Sequence, residues 1–350
     1  MGTVTARPGP AGDPGIFPDV TTSETLDAAE PGRRSAGRPV GKLDDTRCSV
    51  RALARGDSAV ATAPPAQRWV LIEQPGPWGR DALSQSRIDP DAAVRLAQRS
   101  RAEGVRVLLI RRPDGRAGSS ENRWAYVDSR PGRQGAWWSV RGSDAEVADA
   151  PWDGSTGTVR DEPTYLVCSH GGHDACCALR GRPLARGLLE AGADVWECSH
   201  LGGDRFAPNV VVLPDGLYYG QVPGDGADLL AAHARGQVAL PWLRGRAGLS
   251  APAQAAQDEA RRELGRFGVH DLPPRRQSRL TPVGADVERW AVTLADDDGD
   301  VVVVVQGRPS GQAFRLTCSA THDAHARVWE VLSISPAGPG RGEDRALRPG

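Results

Sequence analysis

The chain has 350 residues, 43 basic and 44 acidic, with a formal net charge of −1. That length suffices for one large or two to three small domains, and the balanced charge excludes a surface built for nucleic acid or an anionic membrane. Lys42 is the only lysine, so the arginine excess reads as coding bias rather than as a phosphate-binding code.

Residues 1–45 are rich in Pro, Gly, Asp, Thr and Arg and carry few large apolar side chains, which predicts a disordered tail. A second tail is expected over 336–350. The N-terminus has no charged start followed by an apolar stretch, so no secretory signal is expected. No apolar run reaches the roughly 18–20 residues of a membrane span. The longest, Val301–Val305, reads as a buried strand.

Order is expected from about residue 46. "QRWVLIEQPGPWG" reads as a strand ending in a Pro/Gly turn. "DPDAAVRLAQRSRAEGV" reads as a helix with Asp89 as N-cap, Pro90 at the first position and Gly104 as the stop. "RVLLIRRP", "RWAYVDS" and "AWWSVRG" are strands, with Trp137 and Trp138 assigned to packing. These elements form an expected α/β part over 46–150. "DEPTYLVCSH" is a strand ending at Cys168, and the loop after it runs to Cys177. The helix "ALRGRPLARGLLEAGA", the strand "DVWECSH", the hairpin "VVVLPDG"/"LYYGQV" and the helix "GADLLAAHARG" follow. Over 151–240 this order resembles a thioredoxin-like mixed sheet with flanking helices, so the expected fold class is α/β. A smaller α+β part is expected over 250–335. It contains the helix "APAQAAQDEARRELGRFGV", with Ser250 as N-cap, and the strands "ERWAVTL", "VVVVVQG", "FRLTCS" and "VWEVLSI". "ADDDGD" at 295–300 lacks the ligand set of a calcium loop and reads as a hairpin turn.

The chemistry is concentrated in two loops. "CSHGGHDACC" and "WECSHLGGDRF" hold four of the six cysteines. Six cysteines are too sparse for a disulfide scaffold, and their clustering in a reducing cytoplasm reads as metal-binding or redox-active. Cys168 and Cys177 are separated by eight residues, unlike the short ligand spacings of a structural zinc site. Neighbouring side chains diverge, so one of Cys176 and Cys177 is expected to be a bystander. A long loop with a Cys at each end suits a larger object, such as a two-iron cluster. Gly171 and Gly172 let the backbone curl around it.

"CSHGGHDACCALRGRPL" and "WECSHLGGDRFAPNVVVLPDGLYYG", with "LIEQPGPWG" upstream, resemble the sucrase/ferredoxin-like family over roughly residues 45–335. The resemblance implies a thioredoxin-like domain carrying a [2Fe–2S] cluster. Carried over by position, Cys168 and Cys177 form one ligand pair and His200 opens the other. Asp204 stands where the two-histidine version of the pattern has its second His, so the family register points to Asp204 as the fourth ligand. The alternative is Cys198, which shares a strand face with His200. His170 and His173 are expected outside the ligand set. Arg205 has either a cluster-pairing or a packing role. Cys48 and Cys318 read as buried small hydrophobes, and "HDAH" at 322–325 as no site.

The expected function is that of an electron-transfer protein rather than a stand-alone enzyme. No G-x-G-x-x-G follows a strand, so electrons would come from a redox partner protein or a diffusible reductant. No nucleic-acid or membrane partner is expected. The alternatives are a thioredoxin-like thiol oxidoreductase and a zinc-bound structural or binding module. Sucrose hydrolysis would need two placed carboxylates, and no motif supplies them.

Overall fold

The computed structural model describes residues 46–115 and 122–337. The tail expected over 1–45 lies outside them, as does most of that expected over 336–350. Helix α1 (Cys48–Arg55) comes first, then strand β1 (Arg68–Glu73), helices α2 (Ala82–Gln85) and α3 (Pro90–Glu103), and strand β2 (Arg106–Arg111). Strands β3 (Asn122–Asp128) and β4 (Gly135–Arg141), helix α4 (Asp144–Asp149) and strand β5 (Thr158–Arg160) follow. The next stretch runs β6 (Thr164–Cys168), α5 (Ala175–Glu190), β7 (Val195–Cys198), β8 (Asn209–Leu213), β9 (Leu217–Gly220), α6 (Ala227–Ala234) and β10 (Leu243–Arg246). Helix α7 (Ala251–Leu264) and strands β11 (Pro274–Gly284), β12 (Val287–Leu294), β13 (Val301–Pro309) and β14 (Arg327–Pro336) end the described chain.

The fold is mixed α/β. Ten strands form one sheet in the order β10-β9-β8-β6-β7-β2-β1-β3-β4-β5. The stretches read as 46–150 and 151–240 thus share a sheet, joined where β2 pairs antiparallel with β7 through Ile110–Cys198 and Arg111–Glu197. Within it, β6 and β7 are parallel across α5, and β8 and β9 return antiparallel, the order expected of a thioredoxin-like layer.

Alternation along the strands sends side chains to two buried faces. Leu166, Cys168, Trp196, Cys198, Val211 and Tyr218 share one core. Tyr165, Val167, Val195, Val210 and Val212 face the other, where Leu184 and Leu188 of α5 and Leu229 of α6 cover them. Each of those fully buried leucines contributes about 2 kcal/mol of transfer free energy, so α5 is held rigidly over β6 and β7. A second sheet, β11-β12-β13-β14, is antiparallel throughout. Ala253, Ala256 and Ala260 of α7 pack on its Val292, Val303 and Val305.

Helix α3 is capped as expected: Asp89 accepts from the Ala92 amide, and Gly104 adopts a left-handed conformation. Helix α5 begins earlier than expected. Asp174 caps it, so Cys176 and Cys177 lie in its first turn and not in the loop. "FRLTCS" is not a strand but part of the irregular connection between β13 and β14. Strands β5, β10 and β11 and helices α1, α2 and α4 were not anticipated.

Candidate metal centre

Strand β6 stops at Cys168, which is paired in register with Cys198 of β7. The loop that follows is anchored at its tip. His170 Nε2 lies 2.9 Å from the Gly79 carbonyl oxygen, and Trp78 meets the His170 ring edge-on. Gly172 approaches the same carbonyl so closely that an added Cβ would stand 1.8 Å from it. The loop's glycine and the "PWG" turn after β1 therefore require each other.

Asp174 Oδ1 then accepts from the Cys176 amide at 2.8 Å and starts α5. Consecutive helical residues are about 100° apart, so the two adjacent thiols point to different sides. Cys177 turns toward Cys168. Gly181, one turn on, lets the helix lie against the end of β6: a Cβ there would be 2.1 Å from the Cys168 carbonyl oxygen.

The second loop leaves β7 and folds back at Gly202 and Gly203, with φ of 89° and 77°. Only glycine adopts such angles in succession without strain. A 3-10 turn over Asp204–Phe206 follows and brings Asp204 back over His200. Three carbonyls of this loop are held from outside it. Arg106 Nη2 donates to His200 O at 2.8 Å, Arg244 Nη1 to Gly202 O at 2.9 Å, and Asn209 Nδ2 to Gly203 O at 2.9 Å. Arg244 also donates to Asn209 Oδ1 and to both oxygens of Thr62. Burial pushes its guanidinium down to about 10, so it stays charged at neutral pH.

These two loops bring four sequence-predicted residues together. Ligand atoms of Cys168, Cys177 and His200 lie within 4.8 Å of one another, and His173, His200 and Asp204 form an overlapping group. Cys177 Sγ is 3.2 Å from Asp204 Oδ1. His200 Nδ1 is 3.1 Å from the same oxygen, yet it is buried with no hydrogen-bond partner. Cys168, Cys177 and Asp204 are buried, whereas the His173 and His200 side chains keep 35% and 28% of their surface.

The charges interlock. The Cys177 thiol holds the Cys168 thiol well below its usual range, against the cost of burial, with His200 assisting. Burial opposes an imidazolium at His200, but the Asp204 carboxylate and Cys168 outweigh it and carry His200 up to about 9. Burial likewise works against the charged form of Asp204, and His200 reverses it, so its carboxyl is held below the usual range. Two sulfurs, an imidazole nitrogen and a carboxylate brought to one place are a donor set for a thiophilic metal.

The remaining candidates are distributed as follows. Cys198 lies in the core behind Cys168 and joins neither ligand group. His170 is tied to Gly79. His173, expected outside, stacks on His200 with ring centroids 3.7 Å apart and places Nε2 3.9 Å from Asp204 Oδ2. Arg205 lies 3.7 Å from Asp57 and over the Phe206 ring, a packing role. Within "HDAH", His325 Nδ1 lies 2.6 Å from the Ser310 carbonyl oxygen and His322 Nδ1 lies 3.3 Å from Thr321 Oγ1. Asp296 and Asp298 of the acidic turn pair with Arg266. Sequence reasoning missed Gly181, Arg106 and Arg244. A glycine inside a helical pattern was the available signal for the first. It also left Cys48 and Cys318 without partners. They meet each other, Cys176 and Asp174 in a second group of potential ligands.

The sucrase/ferredoxin-like family model matches residues 59–245, a narrower span than the 45–335 of the resemblance. No curated protein and no solved structure matches the chain. The matched span is more than half of the chain and contains both loops with Cys168, Cys177, His200 and Asp204. The chain therefore belongs to the sucrase/ferredoxin-like family.

Proposed function

We propose that the chain is a one-electron carrier whose [2Fe–2S] cluster is held by Cys168, Cys177, His200 and Asp204. The observation that carries this reading is the meeting of the Cys168–Cys177 pair with the His200–Asp204 pair at one buried site. Membership in a ferredoxin-like family supports it. The cluster, when bound, supplies reversible one-electron chemistry. The chain's own residues hold and tune it. Asp174 and Gly181 fix the helix that presents Cys177. Arg106, Arg244 and Asn209 fix the turn that presents His200 and Asp204. An imidazole in place of a thiolate removes negative charge and raises the potential, and the aspartate restores one charge.

The rings of His173 and His200 form the solvent-side edge of the site. A redox partner protein would approach there, because electron exchange needs the shortest path through protein. Cys176 and Cys177 point to different sides and form no Cys-x-x-Cys pair, which argues against the thiol-oxidoreductase reading. A second reading is one zinc-class ion. The 3.2 Å separation of Cys177 Sγ from Asp204 Oδ1 favours it, being close to the edge of about 3.5 Å expected of a single-ion tetrahedron. Two-iron binding requires the facing pairs to part. Anaerobic purification with an absorption spectrum and an iron and acid-labile sulfide count separates the readings. Red-brown protein with equal iron and sulfide supports the cluster; a colourless chain without sulfide rejects it.

A further inference from the structure

We propose that Cys48, Cys176, Cys318 and Asp174 form a second metal site, which takes a single zinc-class divalent cation. The three sulfurs make a nearly equilateral triangle. Cys48–Cys176 is 3.6 Å, Cys176–Cys318 is 3.5 Å and Cys48–Cys318 is 3.5 Å. Zinc–sulfur bonds of about 2.3 Å at tetrahedral angles give sulfur–sulfur edges of about 3.8 Å. Three mutually equal edges near that value are a zinc arrangement. A disulfide would draw two sulfurs to about 2.05 Å and leave the third aside. All six cysteines are free thiols.

The fourth corner is a carboxylate. Asp174 Oδ2 lies 3.7 Å from Cys48 Sγ, and the four ligand atoms all fall within 4.8 Å of one another. The Asp174 carboxylate is oriented by main-chain donors. Oδ1 accepts from the Cys176 amide and Oδ2 from the Cys318 amide, both at 2.8 Å. The Cys48 amide in turn donates to Cys318 Sγ at 3.4 Å, the kind of contact that supports a coordinated thiolate. Cys48, Cys176 and Asp174 are buried, and Ala207 packs against the thiols.

The site also has an entrance. Cys48 and Cys318 line a cavity of about 550 Å³ whose wall includes Arg47 and Arg315. Three thiolates and a carboxylate around a divalent ion carry a net charge of −2. The two arginines and the N-terminus of α5 offset it.

The site differs from the one assigned above in its residues and its role. Cys48 and Cys318 lie outside the matched span of 59–245. The ligands come from the start of α1, the start of α5 and the connection between β13 and β14. Cys176 is 128 residues from Cys48 and 142 from Cys318. A metal closing loops of that length stabilises the folded state through the ordering that the chain otherwise has to bear. It would clamp the β13–β14 connection to the sheet that carries both family loops. Adjacent thiols on α5 thus serve two sites, Cys177 on one side and Cys176 on the other.

The test uses the full chain, purified without chelator. Zinc per chain is measured by elemental analysis, and the donor set by zinc K-edge absorption fine structure. The expected result is one zinc per chain bound by three sulfurs and one oxygen. It should fall to near zero in both Cys48→Ser and Cys318→Ser. Iron and sulfide, counted in the same samples, report the Cys168–Cys177 site separately. The proposal is overturned by zinc-free wild-type protein, by a zinc content that neither variant lowers, or, with one zinc per chain, by a donor set with two sulfurs or an imidazole. Should a variant fail to fold, the donor set of the wild-type chain decides alone.

Discussion

Gly181→Ala tests whether the close packing of α5 on β6 creates the metal centre. The new Cβ would stand 2.1 Å from the Cys168 carbonyl oxygen. An ordinary contact between carbon and carbonyl oxygen is about 3.3 Å, so helix and strand must separate by about 1 Å. The obstacle is backbone, not a side chain that can rotate away. Overpacking of this kind costs about 1–3 kcal/mol, which lowers the melting temperature by on the order of 5 °C. The effect on the site should be larger, because metal–ligand distances tolerate only about 0.2 Å. Cys177 rides on the displaced helix while Cys168 stays on the strand. Iron and sulfide counts and thermal unfolding, measured on Gly181→Ala and on the control Gly284→Ala, are the assay. In the control the nearest atom to the new Cβ is 3.9 Å away. Loss of most of the iron with a modest stability loss is expected for Gly181→Ala alone. Full iron content and an unchanged melting temperature would refute the reasoning.

Three further outcomes follow from named groups. Cys177→Ser should lose essentially all iron and Cys176→Ser should keep it, by elemental analysis; the reverse would shift the ligand register by one residue. Asp204→His removes a negative charge from the site, so the reduction potential measured by redox titration should rise by on the order of 100 mV, while Cys198→Ser leaves the absorption spectrum intact. If Cys198→Ser bleaches the protein and Asp204→Ala does not, Cys198 is the fourth ligand. His233 bridges the hydroxyls of Tyr165 and Tyr219 at 2.9 and 2.8 Å, and burial pushes it down to about 4. Unfolded histidine takes up its proton near pH 6.5, so stability should fall by up to about 3 kcal/mol as the pH drops from 6.5 to 4. Urea unfolding of His233→Gln should lose that slope; an unchanged slope would place its origin elsewhere.

The helices with side-chain caps and the strands of the central layer were legible because their signals are local. Asp89 and Ser250 cap α3 and α7 as their spacing predicts. The start of α5 was misplaced because Asp174 is an N-cap inside a run of Cys and His that reads as loop. β11 was missed because Arg275, Arg276 and Arg279 give an edge strand a loop-like composition. "FRLTCS" has a strand's alternation, but its β-pairing is confined to an isolated bridge from Phe314 to Ala324, and the Cys318 amide is directed at Asp174 instead of a neighbouring strand. The pairing of β2 with β7, which merges two expected parts into one sheet, depends on contacts between distant stretches of chain and leaves no mark in either strand's sequence. The same holds at the sites. Cys168, Cys177, His200 and Asp204 lie in two short stretches of sequence and carry a family pattern. Cys48 and Cys318 sit 270 residues apart, with no spacing from which their meeting could be read.

Pulsed EPR of the anaerobically reduced, full-length chain tests the central claim most directly, because it detects the reduced cluster and counts the nitrogens bound to it. The account predicts a paramagnetic two-iron signal with one coordinated imidazole, assigned to His200 by its loss in His200→Cys. A second coordinated nitrogen would bring His173 or His170 into the ligand set, and the absence of any two-iron signal from iron-replete protein would contradict the assignment of this site to a [2Fe–2S] cluster.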